Sequence, residues 1–266
     1  MAGIRAILLI ALLGLANLAA RPQQALDHSI DTLGFTQHVE LAKWLYDYDE
    51  IAMLAMDSLK PLGKKNLLLM GDIGFCHKDV LDTWHILYGN TSDTGYKPVF
   101  HYWVDSLFTL QYNRTNVDNA LYQSFSNAIR HCQKAMLSIQ DSADIIFNQY
   151  IRDLPDQTIE VWILPAFQTS GQAIYGAEWM FRLKPDGSEI LDTYTYYSGL
   201  KGIWIGQPRE LWLNYRDTDS PTPGSIYFAW SFKDYFTKIH IDTRRCTCTI
   251  QKNNSGQYYW KNIFKP

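Results

Sequence analysis

The chain has 266 residues, of which 47% are hydrophobic, 14% aromatic and 19% charged. This composition excludes a disordered chain, a coiled coil and a collagen-like chain, because each of those classes has few apolar residues or a strict repeat. The 24 basic and 27 acidic residues give a net charge of -3, and the densest basic groups are doublets such as Lys64-Lys65. Because phosphate binding needs clustered cations, we expect no nucleic-acid partner.

The N-terminus predicts export. Arg5 precedes an uncharged apolar run that ends at the small residues Ala19 and Ala20. The run stops at Arg21, short of the roughly 20 apolar residues of a membrane span, so residues 1–20 are interpreted as a cleavable signal peptide, with an uncleaved anchor as the alternative. No cysteine follows to accept a lipid. The sequence therefore predicts a secreted or periplasmic protein with no membrane span in the mature chain.

Export permits disulfides and glycans. Cys76, Cys132, Cys246 and Cys248 allow three pairings, and we expect one disulfide or none. A bond between Cys246 and Cys248 is the least favourable of these. The Cα atoms of residues i and i+2 of a strand lie about 6.6 Å apart, near the upper limit for a disulfide. Sites for glycan attachment begin at Asn90, Asn113 and Asn253, usable only if the cell glycosylates exported proteins.

Residues 21–35 are polar and indicate a flexible leader. From Thr36 to Leu59 apolar residues recur at helical spacing, and the helix must end before Pro61. Turn formers between residues 83–88 and 99–107 predict a hairpin. The clearest helix spans residues 116–146 and places Phe125 and Cys132 in the core; a weaker helical pattern continues to about residue 151.

After residue 158 the spacing of the apolar residues changes from that of a helix to that of strands. Seven strands are predicted, over residues 159–164, 177–183, 189–197, 210–215, 225–232, 237–250 and 258–264. Strands joined by short turns pair antiparallel. The predicted fold class is therefore α+β, with an antiparallel sheet, mainly in the C-terminal half, packed on one face against N-terminal and central helices. We expect one domain over residues 36–266, helix-rich to 155 and β-rich from 156.

Searches for catalytic and cofactor motifs return nothing: the chain has no nucleotide-binding glycine loop, no Gly-x-Ser-x-Gly, no His-Glu-x-x-His and no Cys-x-x-Cys. No cofactor, metal site or catalytic residue is therefore assigned. One weaker candidate is the group Asp82, His85, His101 and Asp105 on the predicted hairpin. If Tyr88 pairs with Pro98, His85 lies opposite His101, and the group could hold zinc or act as acid and base. A structural histidine pair is the alternative.

Two further candidates are considered. Cys76-His77 and His131-Cys132 could supply a thiol nucleophile and a base, although Cys132 is expected in the core. Aromatic residues concentrated in the strand-rich half could form a binding face, or could be there for packing alone. They are Trp179, Tyr194, Tyr196, Tyr197, Trp204, Trp212, Tyr215, Tyr227, Trp230, Tyr235, Tyr258, Tyr259 and Trp260.

Carboxylates give a weaker signal. Glu178 and Asp192 are the candidate catalytic acids if a groove in this half of the chain hydrolyses glycans. Two Asp-x-Asp pairs, Asp47 with Asp49 and Asp217 with Asp219, are interpreted as solvated charge.

The function that this sequence favours is an exported, non-enzymatic binding protein whose aromatic sheet takes a glycan or a protein. The alternative is a secreted hydrolase of glycans, esters or peptides with an unrecognised acid or histidine site. A flat aromatic face would favour binding, whereas a deep cleft lined by two or more acids or histidines with perturbed pKa values would favour hydrolysis.

Overall fold

The computed structural model describes residues 34–63, 68–92, 95–105, 109–112, 119–143, 145–168, 171–206 and 209–265. The predicted signal peptide, the leader up to residue 33 and Asn113 lie outside these ranges. Within them the α-helices are α1 (Phe35–Leu59), α2 (Asn119–Ala143) and α3 (Pro223–Ser231). The strands are β1 (Ile73–Lys78), β2 (Trp84–Ser92), β3 (Gly95–Val104), β4 (Leu110–Tyr112), β5 (Phe147–Asp153), β6 (Ile159–Pro165), β7 (Gln172–Leu183), β8 (Ile190–Trp204), β9 (Glu210–Tyr215), β10 (Lys238–Thr243), β11 (Cys246–Lys252) and β12 (Tyr258–Phe264).

The described strands form three four-stranded sheets. The first has the order β1-β2-β3-β4, the second β5-β6-β7-β8 and the third β12-β11-β10-β9. Neighbouring strands run antiparallel except β9 and β10, which are parallel. That exception follows from α3, which lies between the two strands in the chain and provides the crossover that a parallel pair requires. The α+β class with predominantly antiparallel sheets is confirmed.

Helices cover both faces of the second sheet, so the prediction that they pack on one face is wrong. On one face Tyr150, Trp162 and Met180 belong to a core shared with α1, α3 and the third sheet. On the other face Val161 and Phe181 belong to a core shared with α2. The first sheet contributes to both cores in the same way. A strand with apolar residues on both faces needs a cover on each side.

The predicted strand over residues 225–232 is helix α3. Thr222 caps its N-terminus by accepting a hydrogen bond from the Ser225 backbone N–H at 3.1 Å, and Pro223 occupies the first turn. Proline is favoured at that position because its missing N–H would have no partner there. The helix is buried nearly all round, and a short apolar run cannot be assigned to helix or strand by periodicity.

Other predicted boundaries also change. The weak helical pattern up to residue 151 is strand β5, which pairs with β6 through the turn between Asp153 and Ile159. Strand β1 has no predicted counterpart, and the strand predicted over residues 237–250 is two strands, β10 and β11, joined at Arg244 and Arg245. Each error falls where a strand is buried on both faces and lacks clear alternation.

Across the described part of the chain, every helix is too short or too polar to cross a membrane.

Phe125 provides a test of the packing of α2. Its side chain is fully buried, and its ring centre lies 5.6 Å from that of Phe75 and 5.3 Å from that of His77. Phe125→Ala should lower the free energy of unfolding by about 3 to 5 kcal/mol, because the surrounding core cannot collapse fully into the vacated space. Urea denaturation measures this change. Leu137→Ala on the exposed side of the same helix is the control, and equal effects in the two variants would contradict the assignment.

Candidate functional site

A cavity of about 680 Å³ lies between α1, β7 and α3. Its volume falls within the range of small-molecule binding sites, which are typically about 300 to 1,000 Å³. The wall is mainly aromatic and aliphatic and includes the rings of Tyr46, Tyr88, Tyr175, Phe228, Phe232 and Tyr235. Four carboxyl groups also line it, those of Asp49, Glu50, Glu178 and Asp234, and the pKa values of Asp49 and Glu178 are strongly raised. The site is therefore a cleft that includes two acids with raised pKa values, and not a flat aromatic face.

Asp49 is held by hydroxyl groups from two other elements. Tyr150 on β5 donates to Asp49 Oδ2 at 3.0 Å, and Tyr227 on α3 donates to the same oxygen. The two tyrosine oxygens are themselves 3.0 Å apart. Burial raises the pKa of Asp49 to about 6, against the opposing effect of the two hydroxyl donors. Among the described residues, its second oxygen, Oδ1, has only a distant partner, Asn148 Nδ2 at 3.5 Å.

Glu178 is more deeply buried and more fully hydrogen bonded. The side chain is 1% exposed. Oε1 accepts from Tyr215 at 2.7 Å and Thr222 at 2.9 Å, and Oε2 accepts from the Gly224 backbone N–H at 3.2 Å. Burial raises its pKa to about 7 although three donors favour the charged form. Because Gly224 lies in the first turn of α3, the carboxyl group also completes the cap of that helix.

A β-bulge aims Glu178 at the cavity. The pairing of β7 with β8 shifts register at Gly176 and Glu178, and Ala177 has a positive φ of 51°. Before the bulge Tyr175 faces the core of α1 and α3, and after it Met180 does so. The extra residue therefore keeps Glu178 on the cavity face. Gly224 completes the arrangement, since a Cβ atom there would lie 2.4 Å from Glu178 Cδ.

A lysine lies at the wall of the same cavity. Lys233 Nζ is 4.7 Å from the ring centre of Trp230 and 5.0 Å from that of Tyr46, and it donates to the Trp230 carbonyl at 3.0 Å. Burial lowers the pKa of this amine. The aromatic rings provide a favourable surface for the cation.

The predicted histidine pair exists, but through a different register. Tyr88 pairs with Phe100 and His85 with Trp103, two positions from the predicted register, and a bulge after Tyr88 accounts for one of the two. The rings nevertheless meet diagonally, with His85 Nδ1 3.0 Å from His101 Nε2. The carboxylate within reach of His85 belongs to Asp79, at 3.2 Å from Nε2.

The two aspartates predicted for this group have other contacts. Asp82 pairs with Lys78, and the Asp105 carboxylate accepts from the Thr109 backbone N–H. No group of three His, Cys, Asp or Glu side chains among the described residues has a geometry that could hold a metal ion.

The cysteine candidates do not converge. Cys76 lies in the core of α1 and Cys132 in the core of α2, on opposite faces of the sheets. His131 is exposed and bonds to Asn127 in its own helix. Burial raises the pKa of Cys76, and that of Cys132 to about 12. All four cysteines of the chain are described and are free, with the sulfur atoms of Cys246 and Cys248 3.7 Å apart.

The predicted aromatic face is divided between core and surface. Trp179, Tyr215, Tyr227 and Trp260 are buried. The exposed members are distributed over two sheets and a loop: Tyr194 and Trp204 on β8, Trp212 on β9, and Tyr235 after α3. Asp192 is exposed opposite Arg182, and Asp219 pairs with Arg244. Asn90 and Asn253 are exposed, so both remain predicted glycan acceptors.

The residue that sequence reasoning missed is Asp49. Its pairing with Asp47 in an Asp-x-Asp pattern suggested solvated charge, yet the structure places it against Tyr150 and Tyr227. The available signal was its position between Tyr48 and Ile51 on the apolar stripe of α1, both of which are buried. The comparisons supply no further guide: no family model, no curated protein and no solved structure matches this chain.

Removal of the Glu178 carboxyl group should destabilise the fold. Glu178→Ala leaves the buried donors of Tyr215, Thr222 and Gly224 without their acceptor, and we expect the free energy of unfolding to fall by about 2 to 4 kcal/mol. Thermal or urea denaturation gives the value. Glu189→Ala, at an exposed acid that pairs with Lys184, should change it by less than about 0.5 kcal/mol. Equal stability of Glu178→Ala and wild type would contradict the structural role of this carboxyl group.

His101 should make the stability depend on pH. Burial lowers its pKa to about 4, below the roughly 6.5 of an unfolded chain. The unfolded state therefore binds the proton more readily, and stability should fall as the pH falls from about 6.5 towards 4. Denaturation curves across this range should have a smaller pH slope in His101→Gln. His131→Gln, which replaces an exposed histidine, should retain the wild-type slope. An unchanged slope in both variants would contradict the assignment of the pH dependence to His101.

Proposed function

We propose that this protein is a hydrolase that binds a hydroxylated substrate, such as a glycoside, in the cavity between α1, β7 and α3. The observation that carries the proposal is the position of Asp49, a partly buried carboxyl group at the wall of a cavity lined with aromatic rings. A cleft with perturbed acids, and not a flat surface, is the arrangement that favours hydrolysis over simple binding.

Asp49 has the properties of a general acid–base group. Its pKa of about 6 lies near neutral pH, where proton transfer is most effective. Two hydroxyl donors fix Oδ2, while Oδ1 has only the distant amide of Asn148. Oδ1 is therefore the oxygen that can exchange a proton with a substrate. Glu178, with three donors and 1% exposure, positions α3 and the cavity wall.

The proposed reaction is hydrolysis of a carbon–oxygen bond. Asp49 donates its proton to the leaving oxygen, water adds to the carbon from which that oxygen departs, and the carboxylate recovers a proton from the added water. The net change is one ether-type bond and one water molecule converted into two hydroxyl compounds. The aromatic walls suit the apolar faces of sugar rings, or an apolar leaving group.

Asp49→Asn tests this role. The amide oxygen can still accept from Tyr150 and Tyr227, so the variant should fold, but it cannot donate the proton. On a panel of 4-nitrophenyl glycosides and 4-nitrophenyl esters we expect kcat to fall by about 100-fold or more. Wild-type turnover should decrease as the pH rises above about 6, because the acid form is then lost.

Asp57→Asn is the matched control, since Asp57 lies on the same helix, is exposed and pairs with Lys60. It should retain wild-type turnover. Similar kcat values for the two variants would contradict the role of Asp49. A complete lack of turnover on the panel would contradict hydrolysis of these substrate classes.

A second candidate function is binding without turnover. It is favoured by the hydrogen bonding of Glu178, because a carboxyl group with three protein donors has little capacity left for a reaction. In that case a protonated Asp49 would donate a hydrogen bond to the ligand. Calorimetric binding of an unreacted glycoside, weakened in Asp49→Asn and unaccompanied by product, would support this function over the first.

A further inference from the structure

A second cavity, of about 370 Å³, lies at the gap between the first and second sheets. Strands β1 and β5 face each other there but belong to separate sheets. The wall includes Tyr48 and Cys76 from the core of α1, and Ile129 and Phe75 from the core of α2. The cavity therefore occupies a slot between the two sheets, and side chains from both hydrophobic cores line it.

Asp49 lines both cavities, together with Ala52, Tyr88 and Asn148. These four residues are a shared wall, and Asp49 is its only acid. Asn148 Nδ2 lies 3.5 Å from Asp49 Oδ1 and 3.3 Å from the Tyr150 hydroxyl. The oxygen of Asp49 that is free to react is thus at the boundary between the two spaces.

The two cavities differ in chemistry. The larger one presents mainly aromatic and aliphatic side chains, whereas the smaller one presents Asp72, Gln133, Asn148 and Gln149 beside the glycine backbone of Gly71 and Gly74. Gln149 Oε1 is buried and accepts no hydrogen bond from the described part of the chain. Gln149 lines the cavity, so rotation of its side chain would bring this acceptor to a donor on a ligand.

We propose that one substrate spans both cavities, with a hydroxylated half in the smaller one, an apolar half in the larger one, and the bond between them at Asp49. A hydroxyl group of the polar half donates to Gln149 Oε1. The chemical class that fits is a glycoside of an aromatic or aliphatic alcohol, with the sugar in the slot between β1 and β5. The position of the cleaved bond rests on the proposed function, whereas the two-part binding does not.

Binding of the two halves as separate fragments tests the proposal without any turnover. The probes are a set of methyl hexopyranosides for the smaller cavity and 4-nitrophenol for the larger one, measured by ligand-observed NMR. We expect both fragments to bind wild type at the same time. Gln149→Leu should weaken the best methyl glycoside at least tenfold and leave 4-nitrophenol within about twofold.

Phe167→Ala is the matched variant for the larger cavity, since Phe167 lines it and is 54% exposed. It should weaken 4-nitrophenol and leave the methyl glycoside unchanged. Gln149→Asn, which shortens the side chain but keeps its polarity, serves as the second variant if Gln149→Leu does not fold. In Gln149→Asn we expect the same selective loss of the glycoside.

The outcomes separate the two proposals. Fragments that compete with each other, that fail to bind, or that bind equally to wild type and the Gln149 variants would overturn the two-part site. Selective fragment binding together with unchanged turnover in Asp49→Asn would retain the two-part site and overturn the hydrolase.

Discussion

The hydrogen bonds around Asp49 hold together the part of the molecule that encloses the cavity. The carboxyl group comes from α1, and its two hydroxyl partners, Tyr150 and Tyr227, come from β5 and α3. These elements are far apart in the sequence, and the carboxyl group connects them directly. A carboxyl group removed from water must have donors, so the three elements are fixed in one relative position. The removal from water also raises the pKa of this acid.

Glu178, a second buried carboxyl group at the wall of the cavity, also joins separate elements through its hydrogen bonds. Two of its donors, Thr222 and Gly224, fix the start of α3 against β7, and the bulge at Ala177 points the side chain there. The two carboxyl groups thus hold α3 at its N-terminal turn, through Gly224, and at its middle, through Tyr227. Because α3 is only nine residues long, its position depends more on these contacts than on its intrinsic helix stability.

The sequence predicted the features that depend on local pattern. The helix containing Phe125, the hairpin of β2 and β3, and the α+β class follow from periodicity and turn residues. The exact pairing of that hairpin did not follow. It differs from the predicted register by two positions, of which the bulge after Tyr88 accounts for one, and no propensity marks such a bulge. Helix α3 was missed because it is buried on every side, and Asp49 was missed because its partners lie about a hundred or more positions away. Long-range polar contacts leave little trace in a single sequence.

The separation of the first two sheets has a mechanical consequence. Within each sheet, neighbouring strands are tied by backbone hydrogen bonds, and any change in spacing would break a ladder. Strands β1 and β5 belong to separate ladders, so across the slot only side chains set the width. Rotation of side chains such as Gln149 or Phe75 can widen or narrow it while every strand pair stays intact. The fold therefore allows the first and second sheets to shift relative to each other at this slot without the loss of a strand pairing.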